Sequence, residues 1–272
     1  MQNNPEISVI VTTFNRRELL EETIQAILNQ SFKDFELIIV DNFSNYNFKN
    51  FIQDFEDIRI RAFQNKNNGI IAINRNFGIS KSKGKYIAFC DDDDIWLNNK
   101  LERQLKYISS SNYGMVFSMQ KHFGHTNILS NNFGIGPLPI RANVSSQELL
   151  KKNCIALSSV ILKKDILKES GVFDDRKSFL AIEDNDLWVR ISKISSIGFI
   201  PEILVMHRNH PNNIYDNSSI IYKGMRELSM KNGFKIETGQ VPYYKNNFFY
   251  FFLRNLFLIL AEKLFYKAKS NF

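Results

Sequence analysis

Residues 86–96 read YIAFCDDDDIW: Tyr86 to Cys90 form an unbroken apolar run, and Asp91 to Asp94 follow without a spacer. A short continuous apolar run is the pattern of a strand buried on both faces, as in a parallel sheet covered by helices. Four adjacent carboxylates repel one another unless a cation or solvent screens them, and these issue from a strand that must be buried. Ligands of open α/β sheets sit beyond the carboxyl ends of the strands, so a divalent cation with an anionic ligand is expected at this junction. The competing account is a solvated acidic turn. With no histidine or thiol cluster in the run, oxygen donors point to Mg²⁺ or Mn²⁺ bridging substrate phosphates rather than to zinc.

Strand and helix patterns alternate on the N-terminal side of this junction. Ile7 to Val11 and Phe35 to Val40 read as buried parallel strands, and Ile58 to Phe63, with Arg59 and Arg61 alternating against Ile58, Ile60 and Ala62, as an edge strand. Helices are expected over Glu18 to Gln30, where Leu20, Ile24, Ile27 and Leu28 share a face, over Phe48 to Phe55, over Gly69 to Ser80 and over Asn98 to Ser109. Such alternation implies an α/β fold with a mostly parallel sheet and helical crossovers. Further on, Met115 to Met119 and Ser158 to Leu162 read as strands, Asn127 to Ala142 as a loop, and Ile197 to Met206 as a strand pair broken at Pro201. Ser145 with Glu148 forms a capping box opening a short helix to about Lys152, and Asp184 to Ile194 reads as a helix.

Composition narrows the classes. The 272 residues are 44% apolar and 13% aromatic, which supplies a sizeable core and excludes disorder as the dominant state. Two cysteines, Cys90 and Cys154, make no disulfide framework, and the polar start at Met1 to Ile7 has no secretory pattern, so a cytoplasmic chain is expected. The net charge of +7 does not indicate nucleic acid, because residues 1–90 and 91–200 each net +1 and the remaining +5 lies in residues 201–272.

Polar residues follow each strand: Thr12, Thr13, Phe14 and Asn15 after the first, and Asp41 and Asn42 after the second. A second acidic cluster, Glu183, Asp184 and Asp186, opens a helix that continues through Trp188. Carboxylates there are explained by the helix dipole and by capping, and equally by a general base kept ionised in the same field. Arg75 is placed to reach a diphosphate or to sit on a solvated face, and His207, Arg208 and His210 follow an apolar strand where they suit an anion or a metal.

These motifs together resemble family 2 of the inverting, nucleotide-sugar-dependent glycosyltransferases, which have the GT-A fold. The resemblance runs from about Ile7 to His210 through ISVIVTTFNR, VDN at Asp41, NNGIIAINRNFGISKSKGKYIAFCDDDDIW, FDD at Phe173 and EDNDLWVRI at Glu183, in the family's order. It implies that Thr13 and Asn15 line the nucleotide pocket, that Asp41 hydrogen-bonds the base, typically uracil, and that Asp91 or Asp92 lies near the ribose, beside which Arg75 is the donor-binding candidate for the diphosphate. It further implies Asp93 as metal ligand, with His207 or His210 contacting metal or diphosphate, Asp184 as catalytic base, and Glu183 and Trp188 at the acceptor. A frame shifted to Asp92 and Asp94 is also open within the fourfold run, and the sequence departs from the family at Phe43, where Asp41-Asn42-Phe43-Ser44 stands for the usual Asp-Asp-Gly-Ser. The implied organisation is a catalytic domain over 1–210, divided into a nucleotide-sugar half over 1–97 and an acceptor half over 98–210, followed by a C-terminal helical appendage over 211–272. The implied function is sugar transfer from a nucleoside diphosphate sugar, UDP first, to a glycan or lipid-linked acceptor in polysaccharide or lipopolysaccharide synthesis. The alternatives are a non-catalytic nucleotide-sugar-binding protein and a nucleotidyltransferase.

The appendage carries an expectation of its own. From Tyr243 onward it holds 11 of the chain's 36 aromatic residues, with Lys245, Arg254, Lys263, Lys267 and Lys269 against the single acid Glu262. Aromatics with lysines suit an interfacial helix on an anionic membrane surface, at the inner face of the cell membrane, whereas packing on the catalytic domain or in a homo-oligomer is the competing account. The apolar run around Phe248 to Ala261 is too short and too interrupted to span a bilayer.

Overall fold

A computed structural model describes residues 4–124, 144–151, 153–210 and 218–233. The first half is β1 (Ile7–Thr13), α1 (Arg17–Leu28), β2 (Phe35–Asp41), α2 (Phe48–Gln53), β3 (Ile60–Gln64), α3 (Ile71–Lys81) and β4 (Tyr86–Asp91). The second is β5 (Ile95–Trp96), α4 (Lys100–Ser109), β6 (Met115–Gly124), α5 (Ser146–Lys151), β7 (Val160–Lys163), α6 (Ile166–Ser170), α7 (Glu183–Ile194), β8 (Ile197–Asn209) and α8 (Ser218–Lys231). One sheet runs in the order β3-β2-β1-β4-β7-β6-β8-β5. β3, β2, β1 and β4 are parallel, β7 is antiparallel to both β4 and β6, β8 is parallel to β6, and β5 is antiparallel to β8. This is the mostly parallel α/β sheet, flanked by helices, of the GT-A fold.

Every residue of β1 and β2 is buried, as their continuous apolar character requires. Successive residues of β1 feed opposite faces: Ile10 packs with Ile38, Phe89, Phe117 and Trp188, while Val9 and Val11 pack with Leu20, Ile24 and Ile27 of α1. The sheet therefore has two apolar layers, and the strand ends emerge between them at one rim.

Several local expectations change. β3 starts at Ile60 rather than Ile58, because Arg59 folds its guanidinium onto Asp57 and turns Ile58 fully outward; β3 is the sheet edge, as its alternation implies. Ser158 belongs to a 3₁₀ turn, Leu157–Ser159, that precedes β7. β6 runs on to Gly124, and β8 is one strand through Pro201 rather than a broken pair. The missing N–H of Pro201 falls where the β6–β8 register slips, from Ser118 opposite Ile200 to Met119 opposite Ile203, so no ladder bond is lost inside a regular stretch. The capping box forms, with Ser145 N donating to Glu148 Oε2 at 2.8 Å and Glu148 N to Ser145 Oγ at 3.3 Å.

α8 lies in the segment read as the appendage, and it packs into the protein: Met225 and Leu228 are buried in the same cluster as Trp188. Gly224 makes this approach close, since a Cβ there would stand 2.5 Å from Cγ1 of Ile182. The 127–142 loop and the aromatic and basic stretch from Tyr243, with its membrane expectation, lie outside the described residues. Among the described residues, no helix is long and apolar enough to cross a membrane.

Candidate active site

The site is built from two acidic clusters, one at the end of β4 and one at the start of α7. Three segments enclose Asp92, Asp93 and Asp94: the end of β1, the turn before α1, and the end of β8. Thr13, at the end of β1, donates to Asp92 Oδ2 at 2.7 Å. Arg16, in the turn before α1, reaches Asp92 Oδ1 at 3.1 Å and Asp93 Oδ2 at 2.8 Å. Asp94 accepts from the backbone N–H of Arg208 at 3.0 Å and faces His207 Nδ1 at 3.0 Å. His210 Nε2 lies 2.8 Å from Asp93 Oδ2, and the Arg208 guanidinium donates through Nε to Asp93 O at 2.9 Å. β8 thus delivers both histidines to the run, His207 to Asp94 and His210 to Asp93.

This enclosure sets the local electrostatics. Asp92 is almost wholly buried, and desolvation pushes its carboxyl up to about 7 against the opposing pull of Arg16. Burial is the largest single influence on His207 and disfavours its charged form, but the charge and hydrogen bond of Asp94, joined by Asp91 and Asp93, together outweigh it and carry the imidazole up to about 9.

Asp91 points the other way. Its N–H donates to Ser158 Oγ at 3.0 Å, and its Oδ1 accepts from Arg75 Nη2 at 3.0 Å. The Nη1 of Arg75 donates to Glu183 Oε1 at 2.5 Å, so one buried guanidinium on α3 joins the two clusters. Those carboxylates hold Arg75 above its ordinary value although burial acts against its charge.

In the α7 cluster the three carboxylates have different partners. Asp186, fully buried, pairs with Arg190 at 2.8 Å and with Lys231 of α8 at 2.8 Å. Glu183 has Arg75 on one oxygen, while Oε2 is buried without a hydrogen-bond partner among the described residues. Asp184 meets neutral donors: Asn153 Nδ2 at 3.1 Å and the N–H of Asn185 at 2.6 Å. Burial, reinforced by the neighbouring Glu183 charge and opposed by Arg75, pushes Asp184 up to about 7. Ala181, with φ 66, turns the chain into α7 just ahead of these residues.

The remaining expected residues divide. Asn15, at φ 55, crosslinks two loops: its N–H donates to Ser44 Oγ and its Oδ1 accepts from Asn45 N, both at 2.7 Å. Asp41 is fully buried, and its carboxylate accepts from the N–H and Oγ of Ser44 and from Gln64 Nε2. Trp188, expected at the acceptor, is instead fully buried in the core, edge-on to Phe173, and reaches the site only through that ring, which lies beneath Arg75. A fully buried indole cannot line an open pocket. Sequence reasoning missed Arg16, Ser158, Asn153 and Lys231, whose roles come from partners 31 to 77 positions away in the chain, although Arg16 is the last residue of a quoted motif.

A divalent cation is tested by the donors present. Among the described residues, no group of three or more His, Cys, Asp or Glu side chains forms a ready-made cage. Asp93 Oδ2 and His210 Nε2, 2.8 Å apart, offer one carboxylate and one imidazole at the crevice. That pair fits Mg²⁺ or Mn²⁺ when diphosphate and water complete the coordination, as these cations usually require. Asp93 is buried and bound to Arg16 as well, but through Oδ2 alone, whereas Thr13, Arg16, His207 and Arg208 engage both oxygens of Asp92 and of Asp94, so those two fit the role of ligand less well.

Comparison with known proteins agrees with this architecture. Residues 8–168 match the model of Glycosyl transferase family 2. The chain belongs to that family and is a glycosyltransferase. It is 28% identical over 194 residues, 71% of this chain and 72% of the relative, to the UDP-Glc:alpha-D-GlcNAc-diphosphoundecaprenol beta-1,3-glucosyltransferase WfgD of Escherichia coli. In fold it is similar to S. aureus TarS 1-349 in complex with UDP-GlcNAc, with TM-score 0.68 and 16% identity over 85% of this chain and 68% of that one. It is similar also to the mannosyltransferase PcManGT from Pyrobaculum calidifontis in complex with GDP-Man and Mn²⁺, with TM-score 0.65 and 15% identity over 87% and 66% of the two chains.

Proposed function

We propose that the chain transfers a sugar from a nucleoside diphosphate sugar, with UDP-sugars the first to test, to a hydroxyl of a saccharide or lipid-linked acceptor, with inversion at the anomeric carbon. The observation that carries this reading is Asp184: a buried carboxyl near pH 7, held by amide donors and joined through Glu183 and Arg75 to the acidic run. A general base works best with a value near the operating pH, which Asp184 has and a carboxylate merely capping a helix would not need. Ile182 at the helix cap makes no side-chain capping bond, and the Asp184 carboxylate accepts the N–H of the next residue.

In this mechanism Asp184 removes the proton from the acceptor hydroxyl as that oxygen forms a bond to the anomeric carbon. The bond from that carbon to the diphosphate oxygen breaks on the opposite face, the electron pair leaves with the nucleoside diphosphate, and configuration inverts in one displacement. Asp93 and His210 would hold a divalent cation, which when bound neutralises charge on the leaving diphosphate. Arg16 and Arg208, poised on the same run, keep compensating positive charge at the rim. Arg75 pairs with Glu183 Oε1 beside the base, while the buried Glu183 Oε2 has no hydrogen-bond partner among the described residues.

The WfgD name records a lipid-linked acceptor for that relative, and this supports a lipid-linked acceptor, surface-glycan synthesis and peripheral work at the inner membrane face for this chain. The deciding experiment is a panel of nucleotide sugars assayed by nucleoside diphosphate release, with and without EDTA, followed by the anomeric configuration of the product. Release from one donor that EDTA abolishes, with an inverted product, is expected. Full activity in EDTA, or retention of configuration, overturns the mechanism.

A further inference from the structure

Two arginines meet the acidic run, and they are held differently. Arg75, its side chain 7% exposed, gives one terminal nitrogen to Asp91 and the other to Glu183, so it is fixed at both ends. Arg16 has a side chain 37% exposed, and its Nη1 alone makes both contacts, to Asp92 Oδ1 at 3.1 Å and to Asp93 Oδ2 at 2.8 Å. A guanidinium held through one nitrogen on a solvated stem can leave by side-chain rotation, with no change in the backbone. The atom it occupies is one that a cation would use. Asp93 Oδ2 accepts from Arg16 and also lies 2.8 Å from His210 Nε2, so the carboxylate and imidazole that fit a divalent cation already carry a resident positive charge. Whether a cation takes Oδ2 or Oδ1, it shares that single carboxylate with the guanidinium, and two positive charges on one buried carboxylate repel.

We propose that Arg16 is a resident counter-cation of the acidic run, displaced from Asp93 when a divalent cation binds and received by the diphosphate of the donor. The proposal rests on the donor and cation reading above and adds an order of affinities to it. The cation binds weakly alone and more tightly with nucleotide, because the diphosphate offers Arg16 a replacement for the carboxylate it leaves. A guanidinium suits that exchange, since its planar fork matches phosphate oxygens as it matches a carboxylate.

The test is nucleotide-free Mn²⁺ binding by the full chain, read from the electron paramagnetic resonance of free Mn²⁺, with calorimetric titration of UDP in saturating Mn²⁺ and in EDTA. The proteins compared are the wild type, Arg16→Gln and Arg16→Lys. Arg16→Gln is expected to bind Mn²⁺ alone more tightly than the wild type by about fivefold or more, the lower end of a coupling between sites. The factor by which Mn²⁺ tightens UDP falls in the same proportion, because the exchange carried by Arg16 is gone. Arg16→Lys keeps the resident charge and stays near the wild type with Mn²⁺ alone. Damage to the fold would only weaken Mn²⁺, so a tighter Arg16→Gln cannot come from that source. Unchanged or weaker Mn²⁺ binding by folded Arg16→Gln, or an equal tightening in Arg16→Lys, overturns the proposal while the cation reading stands. No Mn²⁺ bound by any of the three proteins, with UDP or without it, overturns the cation reading and the proposal with it. A wild type that binds Mn²⁺ but not UDP overturns the donor reading, and the Mn²⁺ comparison still decides whether Arg16 occupies the site.

Discussion

The two acidic clusters share a residue type and differ in their counterions. In the β4 run, Asp92 and Asp93 share Arg16, Asp94 has His207, and Asp91 has Arg75. In the α7 cluster, Glu183 and Asp186 take the cations Arg75, Arg190 and Lys231, and Asp184 between them has amides alone. A contact cation does not by itself decide where the proton sits: Asp92, beside Arg16, and Asp184, among amides, are both pushed up to about 7 by burial, but only Asp184 has its proton among neutral donors with no cation in contact. Cationic partners suit the first cluster to holding charged ligands, and their absence at Asp184 suits the second to moving a proton.

The strongest way to break this contrast is Asp184→Asn. Transfer should fall by about 10²- to 10⁴-fold, with nucleotide binding by calorimetry unchanged. The same substitution should raise the melting temperature at pH 8 relative to the wild type and change it little near pH 4. The folded value of Asp184 is raised, to about 7 from an ordinary 3.8, so its contribution to stability is complete below about 4 and is lost as pH rises through about 7. Near-normal transfer by a folded variant would leave Asp184 as a helix-terminal carboxylate only.

Asp93→Asn tests the other side. Turnover should fall on the order of a hundredfold, accompanied by weaker Mg²⁺-dependent binding of UDP, without displacement of the pH profile. An unaltered metal response would remove Asp93 from that role.

The pH profile itself sharpens the comparison. With Asp184 near 7, kcat/KM should climb about tenfold per unit below pH 7 and level above it. Arg75 opposes the rise in Asp184, so Arg75→Gln should move this limb to higher pH, and an unmoved limb would uncouple the two groups. The smallest effect is expected at Lys231→Met, which leaves Asp186 with Arg190 alone. Stability measured by urea unfolding should drop by roughly 1–2 kcal/mol, with transfer retained.

The first half of the fold was legible because β1, β2 and β4 are buried on both faces and so appear as apolar runs bounded by polar residues, while the edge strand β3 shows itself by alternation. β5 was not, since a two-residue strand defined by pairing with Val205 and Met206 has no period to read. Pro201 suggested a break that a register slip absorbs: one step from Ser118 to Met119 in β6 matches three from Ile200 to Ile203 in β8, so the bulge lies at the proline itself and shows only in how the two strands pair. The acidic members of the site stand in consecutive motifs and were visible as such. Arg16, Asn153 and Lys231 were not, because a lone basic or amide residue acquires its role from what the fold brings opposite it. Trp188 misled for the same reason: its place beside the acidic motif is sequential, and the helix turns it into the core.

Arg75 has a thermodynamic consequence. Its two terminal nitrogens grip Asp91 on one side and Glu183 on the other, so occupancy at either end alters the field at the other through a single cation. Binding free energies around such a closed cycle must balance, and whatever factor donor and cation impose on acceptor affinity, the acceptor imposes equally on theirs. Under the proposed mechanism, with the donor on the Asp91 side and the acceptor on the Glu183 side, the dissociation constants of the two substrates are linked quantities, and a value for either holds only at a stated occupancy of the other.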